Sequence, residues 1–455
     1  MADYKLTREQ FADAVSKGLG RAMLHVKRYG LGSIADILLD ACIHNKVYDT
    51  QCEDSRAKWL FEMIKDRAEY PTFRDSILKA LESEEKCADL SQMCEMAKEM
   101  ALNGDKDAKQ ILRKCVLDFA KTTEKDGVGA EELIEVYGNS AVLDLGKIYG
   151  KRLLKNHNEE ISYGFYCGED QQQLLIENSK FSPEIKAFRD YLAKSGYFKL
   201  IKHKELTREQ IRANKQRRRK EYRKKYPLKK IVEDARNGVS KYPMNYVRFG
   251  EYATTKELEK ISDLILTEQD EDVRMRLLWI FRRTNLPKYS PKFFNWANGE
   301  HEGVRRASIA ALAQVPDKEV HELAKTKAKA SQILGADSEA IDLFIENYES
   351  GDAKLIINTL NSVRPVPDDA HAFSHSIRNL MEKYEDPKLA NALIWVYENT
   401  PCSICRRFVA KMLNEIGALS HEMIDECMLD GSEQIKEFAK GLTKQNPRIN
   451  PPAAG

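Results

Sequence analysis

DEDVRMRLLWIFRRT, residues 270–284, opens on acids, sets an apolar residue before a cation, and then runs apolar at helical spacing. The same order returns in EGVRRASIAALAQV (302–315), SICRRFVAKMLNEI (403–416) and SEQIKEFAKGLTKQ (432–445). Anchored on Arg274, Arg305, Arg406 and Lys436, the spacings are 31, 101 and 30 residues, and the long gap accommodates three repeats of similar length. SEAIDLFIENY (338–348) and HAFSHSIRNLMEKY (371–384) supply the two missing helices. A helical pair of this size cannot bury its apolar face alone, so neighbours must stack. The pattern predicts an array of helical hairpins over 244–445, followed by a flexible tail at 446–455.

At these residues the chain resembles the HEAT-repeat class, in which a helix commonly begins with a small or acidic residue followed by Val-Arg. The repeats are shorter than the usual length of about 40 residues, so HEAT-like is the fitting description. Upstream, the rhythm of amphipathic segments joined by short polar loops predicts further helical repeats over 1–122. In 11–30, Phe11, Val15, Leu19, Met23 and Val26 recur at helical spacing and Gly30 ends the run. Residues 123–243 break the rhythm and read as a connector with an insertion and a basic helix. Within it, EEISYGFYCGEDQQQ (159–173) alternates and carries two Gly, as a short hairpin or an irregular insertion would. The expected fold is therefore all-α, a HEAT-like α-solenoid with a central insertion.

Charge is concentrated in one strip. Residues 202–230, KHKELTREQIRANKQRRRKEYRKKYPLKK, hold fourteen Lys or Arg and three Glu, a net +11 in a chain of 455 residues whose total is only +2. A mildly acidic body with one strongly basic strip points to a polyanion partner. Arg217, Arg218, Arg219, Arg223, Lys224 and Lys225 can neutralise phosphates, while Tyr222 and Tyr226 among them could stack on bases. The bland alternative is a solvated helix, for which Thr207 and Gln210 supply a capping box. Second cations at the repeat helix starts, Arg283, Arg306 and Arg407, are freer for a ligand than Arg274 and Arg305, whose expected role is to bond an acid in the adjacent repeat. DNA is the expected partner, with RNA and a protein partner as alternatives.

Signals for other chemistry are sparse. There is no Gly-rich phosphate loop, HExxH or GxSxG, no cofactor signature, and no apolar run of the roughly 20 residues a membrane span needs. The start, MADYKLTREQ, lacks a signal-peptide apolar region, so the expectation is a cytoplasmic, membrane-free protein. Nine cysteines, an odd number, do not suggest a disulfide framework. Cys402 and Cys405 form a CxxC with neither a second pair nor a His nearby in sequence, and read mainly as small buried side chains on one helix face, with a metal or redox role as the lesser alternative. His371 and His375, four apart with no accompanying ligand in sequence, read as solvated or capping; no metal site is expected.

One enzymatic family shares the architecture: the alkylpurine DNA glycosylases of the AlkD type. The chain resembles them at that level alone. The resemblance implies a basic concave face for duplex DNA and a carboxylate, flanked by aromatic rings, that meets the developing positive charge on the sugar. In DTQCEDSRAKW (49–59), Asp49, Glu53 and Asp54 are the candidate acids, with Arg56 and Trp59 beside them. Glu271 and Asp272 near Trp279 are a second set. No tryptophan-and-aspartate run matches the family's, so no catalytic residue is carried over. The competing expectations are helix capping for Glu53 and Asp54 and a core position for Trp59. The functional expectation is a DNA glycosylase acting in repair or antiviral defence, against a non-enzymatic scaffold for a protein partner.

Overall fold

The computed structural model describes residues 4–161, 168–195, 207–238, 244–334, 340–363 and 366–445. Among these the chain is all-α, with twenty-five α-helices, short 3-10 turns and no strand. None of the helices is long and apolar enough to cross a membrane. Parts of four expectations, residues 162–167 of the insertion (including Cys167), residues 202–206 of the basic strip, residues 338–339 of SEAIDLFIENY and the tail from 446, lie outside the described residues. The described part of SEAIDLFIENY, 340–348, is not the expected α-helix but 3-10 helix and turn around Asp342–Phe344. From Glu169 the insertion is helical to Asn178, so its Gln residues lie on a helix.

The chain divides into two compact units, Met1–His203 with Ser420–Gly455, and Lys204–Leu419. The expected array over 244–445 therefore crosses a unit boundary: its last two helices, His421–Met428 and Glu433–Gln445, belong with the N-terminal helices.

In the first unit, the single run expected over 11–30 is two helices, Arg8–Lys17 and Gly20–Tyr29. Gly18 separates them at φ 73°, a left-handed conformation that costs glycine nothing and other residues strain. The C-terminal hairpin lies on this pair and on the helix Ala57–Ile64. Gly431 N–H donates to Gly18 O at 2.7 Å, Arg21 meets Glu426 at 2.9 Å, and Trp59 Nε1–H donates to Leu429 O at 2.8 Å.

The section expected as a connector is divided between the units: 123–203 belong to this one and add to its core, while 204–243, with the basic helix, belong to the other. Asn139–Lys155 and Pro183–Ser195 pack closely because Gly150 carries no side chain: a Cβ there would stand 1.8 Å from Glu184 O. Gly150→Ala must push the two backbones apart, and a loss of about 1–3 kcal/mol in urea denaturation is expected. Nearby in sequence, burial pushes the Glu132 carboxyl up to about 6 from its ordinary 4.5, with Glu95 adding repulsion. A raised carboxyl binds its proton more tightly folded than unfolded, so this group loses stability as pH rises from 4.5 to about 6 and is level above that. Glu132→Gln should therefore stabilise by roughly 1–2 kcal/mol at pH 7 and have little effect at pH 4, read as melting temperatures at the two pH values.

In the second unit, helices pack on their sequence neighbours and on the helix one further along, as Glu271–Leu278, Pro291–Ala297 and Glu302–Leu312 do. The repeated arginines are structural, but not through an acid in the next repeat. Arg274 donates to Glu268 O at 2.6 Å and lies over the Trp296 ring, while Arg305 donates to Gly299 O at 3.2 Å. Both reach back six residues to the turn before their own helix, satisfying carbonyls that the bend leaves without an intrahelical partner.

Candidate nucleic-acid interface

The helix Arg208–Lys225 begins as its sequence dictates. Thr207 Oγ1 accepts from Gln210 N–H while Gln210 Oε1 accepts from Thr207 N–H, closing a capping box, and Arg223, Lys224 and Lys225 occupy the last turn where cations favour the helix dipole. No side chain described in it is buried. At 1.5 Å per residue its eighteen residues span about 27 Å.

Its C-terminal half anchors it to the helices Met244–Tyr252 and Thr255–Thr267. Tyr222 donates its hydroxyl to Asn245 O at 2.7 Å and sets its ring edge-on to Tyr252. Arg223 meets the Glu257 carboxylate at 3.0 Å, and Arg219 donates to Tyr252 O at 3.2 Å. Tyr226 stacks at 4.8 Å from Tyr222 and takes Lys225 and Lys230 against its ring. Tyr222, expected to stack on bases, is thus turned to the protein, because an otherwise polar helix needs some apolar area to hold it, while Tyr226 is half-buried against Tyr222. Arg217, Arg218, Lys220, Lys224 and Lys225 remain exposed, Arg217 with only a 3.9 Å approach to Glu221.

The N-terminal half overhangs a cleft of about 540 Å³ lined by Arg212, Lys215, Gln216, Arg219, Glu251 and Tyr252. Arg212, Lys215 and Arg219 share a helix face by their spacing of three and four. Exposed Arg283 stands at its edge, 3.4 Å from Glu251. Arg212 and Lys215 were visible only as members of a charged run; the helical period marks them as a pair on Arg219's side. A larger cleft of about 790 Å³ in the first unit mixes Lys186 and Lys194 with Glu159, Glu160 and Asp190, and so presents no single sign of charge.

The remaining expected residues lie elsewhere. Arg306 is exposed beside Glu302 at 3.6 Å, and the half-buried Arg407 guanidinium lies over the Phe408 ring. Asp49, Glu53, Asp54, Arg56 and Trp59 belong to the first unit, not to the unit of the basic helix. Asp49 Oδ1 accepts from Gln51 N–H and Glu53 Oε1 accepts from Asp49 N–H, so these two acids hold the loop together. Of the three acids, only Asp54 is exposed. Arg56 is buried and donates to Ser16 O at 2.5 Å, and Trp59 is buried with its indole N–H on Leu429 O. Neither offers a cation or a ring to solvent, which corrects their expected nucleic-acid role: the carbonyls at the end of Arg8–Lys17 claim the guanidinium, and the apolar seam claims the indole. In the second set, Asp272 approaches Arg276 at 3.8 Å and Trp279 is covered by Arg282.

No known protein-family model matches the chain, and no curated protein matches it.

Proposed function

We propose that this protein binds the phosphate backbone of nucleic acid, duplex DNA first, through the helix Arg208–Lys225 and the cleft beneath its N-terminal half. The observation that carries the reading is a helix that buries no described side chain yet sets cations on every face. Repulsion between like charges one turn apart costs such a helix stability, and a bound polyanion would relieve it. Its length of about 27 Å matches roughly eight base pairs at 3.4 Å each. Because Tyr222 faces the protein and Tyr226 is engaged by Tyr222, Lys225 and Lys230, contact is with phosphates and binding is tolerant of sequence.

Base excision has no comparable support. Asp49 and Glu53 are occupied within their loop, and Trp59, the ring expected beside them, is buried. The test is fluorescence anisotropy of labelled duplex and single-stranded DNA, titrated from low to high salt. Binding to duplex whose logarithm falls linearly with log salt supports the proposal. Absence of binding at low salt overturns it and leaves a protein partner as the next candidate.

A further inference from the structure

Cys402 and Cys405 do have a histidine beside them, brought by a helix thirty-one residues upstream in sequence from Cys402. Cys402 is the N-cap of Ser403–Glu415 and Cys405 sits in its first turn, both buried at 5% exposure. His371 lies in the second turn of Pro367–Tyr384, and the packing of these two helices sets its Nδ1 at 3.6 Å from Cys405 Sγ. The two sulfurs and one His371 nitrogen all lie within 4.8 Å of one another.

We infer that His371, Cys402 and Cys405 form a binding site for a divalent metal ion, with zinc the fitting occupant. Two thiolates and one imidazole are a donor set that suits zinc over calcium or magnesium, which take oxygen ligands. In a tetrahedral site with zinc–sulfur near 2.3 Å and zinc–nitrogen near 2.0 Å, sulfur and nitrogen ligands stand about 3.5 Å apart. The separation of His371 and Cys405 is already that edge. Cys402 stands at the helix start, where the positive end of the dipole favours a thiolate.

His375 completes the arrangement from behind. Its Nε2 lies 3.2 Å from His371 Nε2, the ring nitrogen turned away from the cysteines. With Nδ1 on the metal, His371 Nε2–H donates to His375, which orients the ligating ring in the way carboxylates and carbonyls do at other zinc sites. Three protein ligands leave the fourth position to a water, the coordination that reactive zinc sites keep and closed structural sites lack. The expectation of no metal site is thereby revised: it rested on neighbours in sequence, whereas the third ligand comes from another helix.

The test uses the full chain, purified reduced and without chelator, loaded with Zn²⁺, freed of excess by gel filtration and analysed for metal. One zinc per chain is expected, and Co²⁺ in its place should show thiolate charge-transfer absorption and the visible bands of tetrahedral cobalt. Cys405→Ser and His371→Ala should each weaken zinc at least tenfold in competition with a chromophoric chelator. His375→Ala should keep the stoichiometry with an affinity about tenfold lower. Cys427→Ser, at a buried cysteine in the other unit, should leave zinc stoichiometry and affinity unchanged, and circular dichroism of each variant separates lost ligation from lost fold. Failure of the reduced wild-type chain to retain either metal overturns the site, as does equal retention by Cys405→Ser and His371→Ala. So does a chain that holds no metal but closes a Cys402–Cys405 disulfide under a mild oxidant, losing two hydrogens; that result would mark a dithiol redox pair instead.

Discussion

Replacing Arg212, Lys215, Arg217, Arg218 and Lys220 together by Gln lowers affinity for duplex DNA by about 100-fold at about 0.15 M salt, and flattens the salt dependence by about three in slope. The five cations surround one helix, so a duplex lying along it meets about three of them at once. Each phosphate left without its cation takes about 0.9 from the slope of log affinity against log salt, and near 0.15 M that is a factor of about five. The substitutions leave the anchors Arg219, Tyr222 and Arg223 untouched, so the helix stays seated on Met244–Tyr252. Circular dichroism should be unchanged. An unaltered salt slope would remove the helix from any nucleic-acid contact, whatever else the protein binds.

Ending the chain after Leu419 should unfold the first unit. The segment from Ser420 carries Ile424, Cys427, Ile435 and Ala439 into the core of that unit. Each of the two isoleucines contributes roughly 1.5–3 kcal/mol by leaving water. Trp59 would lose its acceptor at Leu429 O, and an indole N–H left buried without one costs a further 1–3 kcal/mol or so. Together these approach the 5–15 kcal/mol or so by which whole domains are stable. The expected readout is loss of a cooperative melting transition, with rapid proteolysis of residues before 203, while the second unit persists. A truncated chain whose first unit melts within a few degrees of the full one would show that the C-terminal hairpin is a passenger. Gly20→Leu probes the same seam in the full chain, since a Cβ there would meet Glu426 O at 1.9 Å.

Several features were legible because they depend on local spacing. Thr207 and Gln210 announce a helix start that forms as read, and Gly30 stops a helix as read. Apolar periodicity predicted an all-α chain, and the described chain is all-α, although 340–348 takes 3-10 helix and turn in place of the expected α-helix. Other features were illegible because the sequence names a side chain's chemistry and not its direction. Tyr222 looked like a stacking platform and is an anchor for its own helix, whereas for Trp59, read either as a platform or as core, the core alternative holds. Arg274 and Arg305 were read as structural, but their partners are turn carbonyls six residues back, which no charge pattern reveals. Gly18 splits a run whose apolar spacing continues through it, because backbone conformation and periodicity are separate constraints.

Helical class and the run of cations over 202–230 follow from periodicity and charge, quantities that a linear chain carries within a few turns. Arrangements beyond the reach of that spacing were decided by packing. The joining of residue 420 onward to the N-terminal helices, the cleft under Arg212 and Lys215, and the meeting of His371 with Cys402 and Cys405 each depend on which helix faces are buried against each other. Burial of apolar area is non-directional and sums over the whole molecule, so it chooses those partners only when the entire chain is folded.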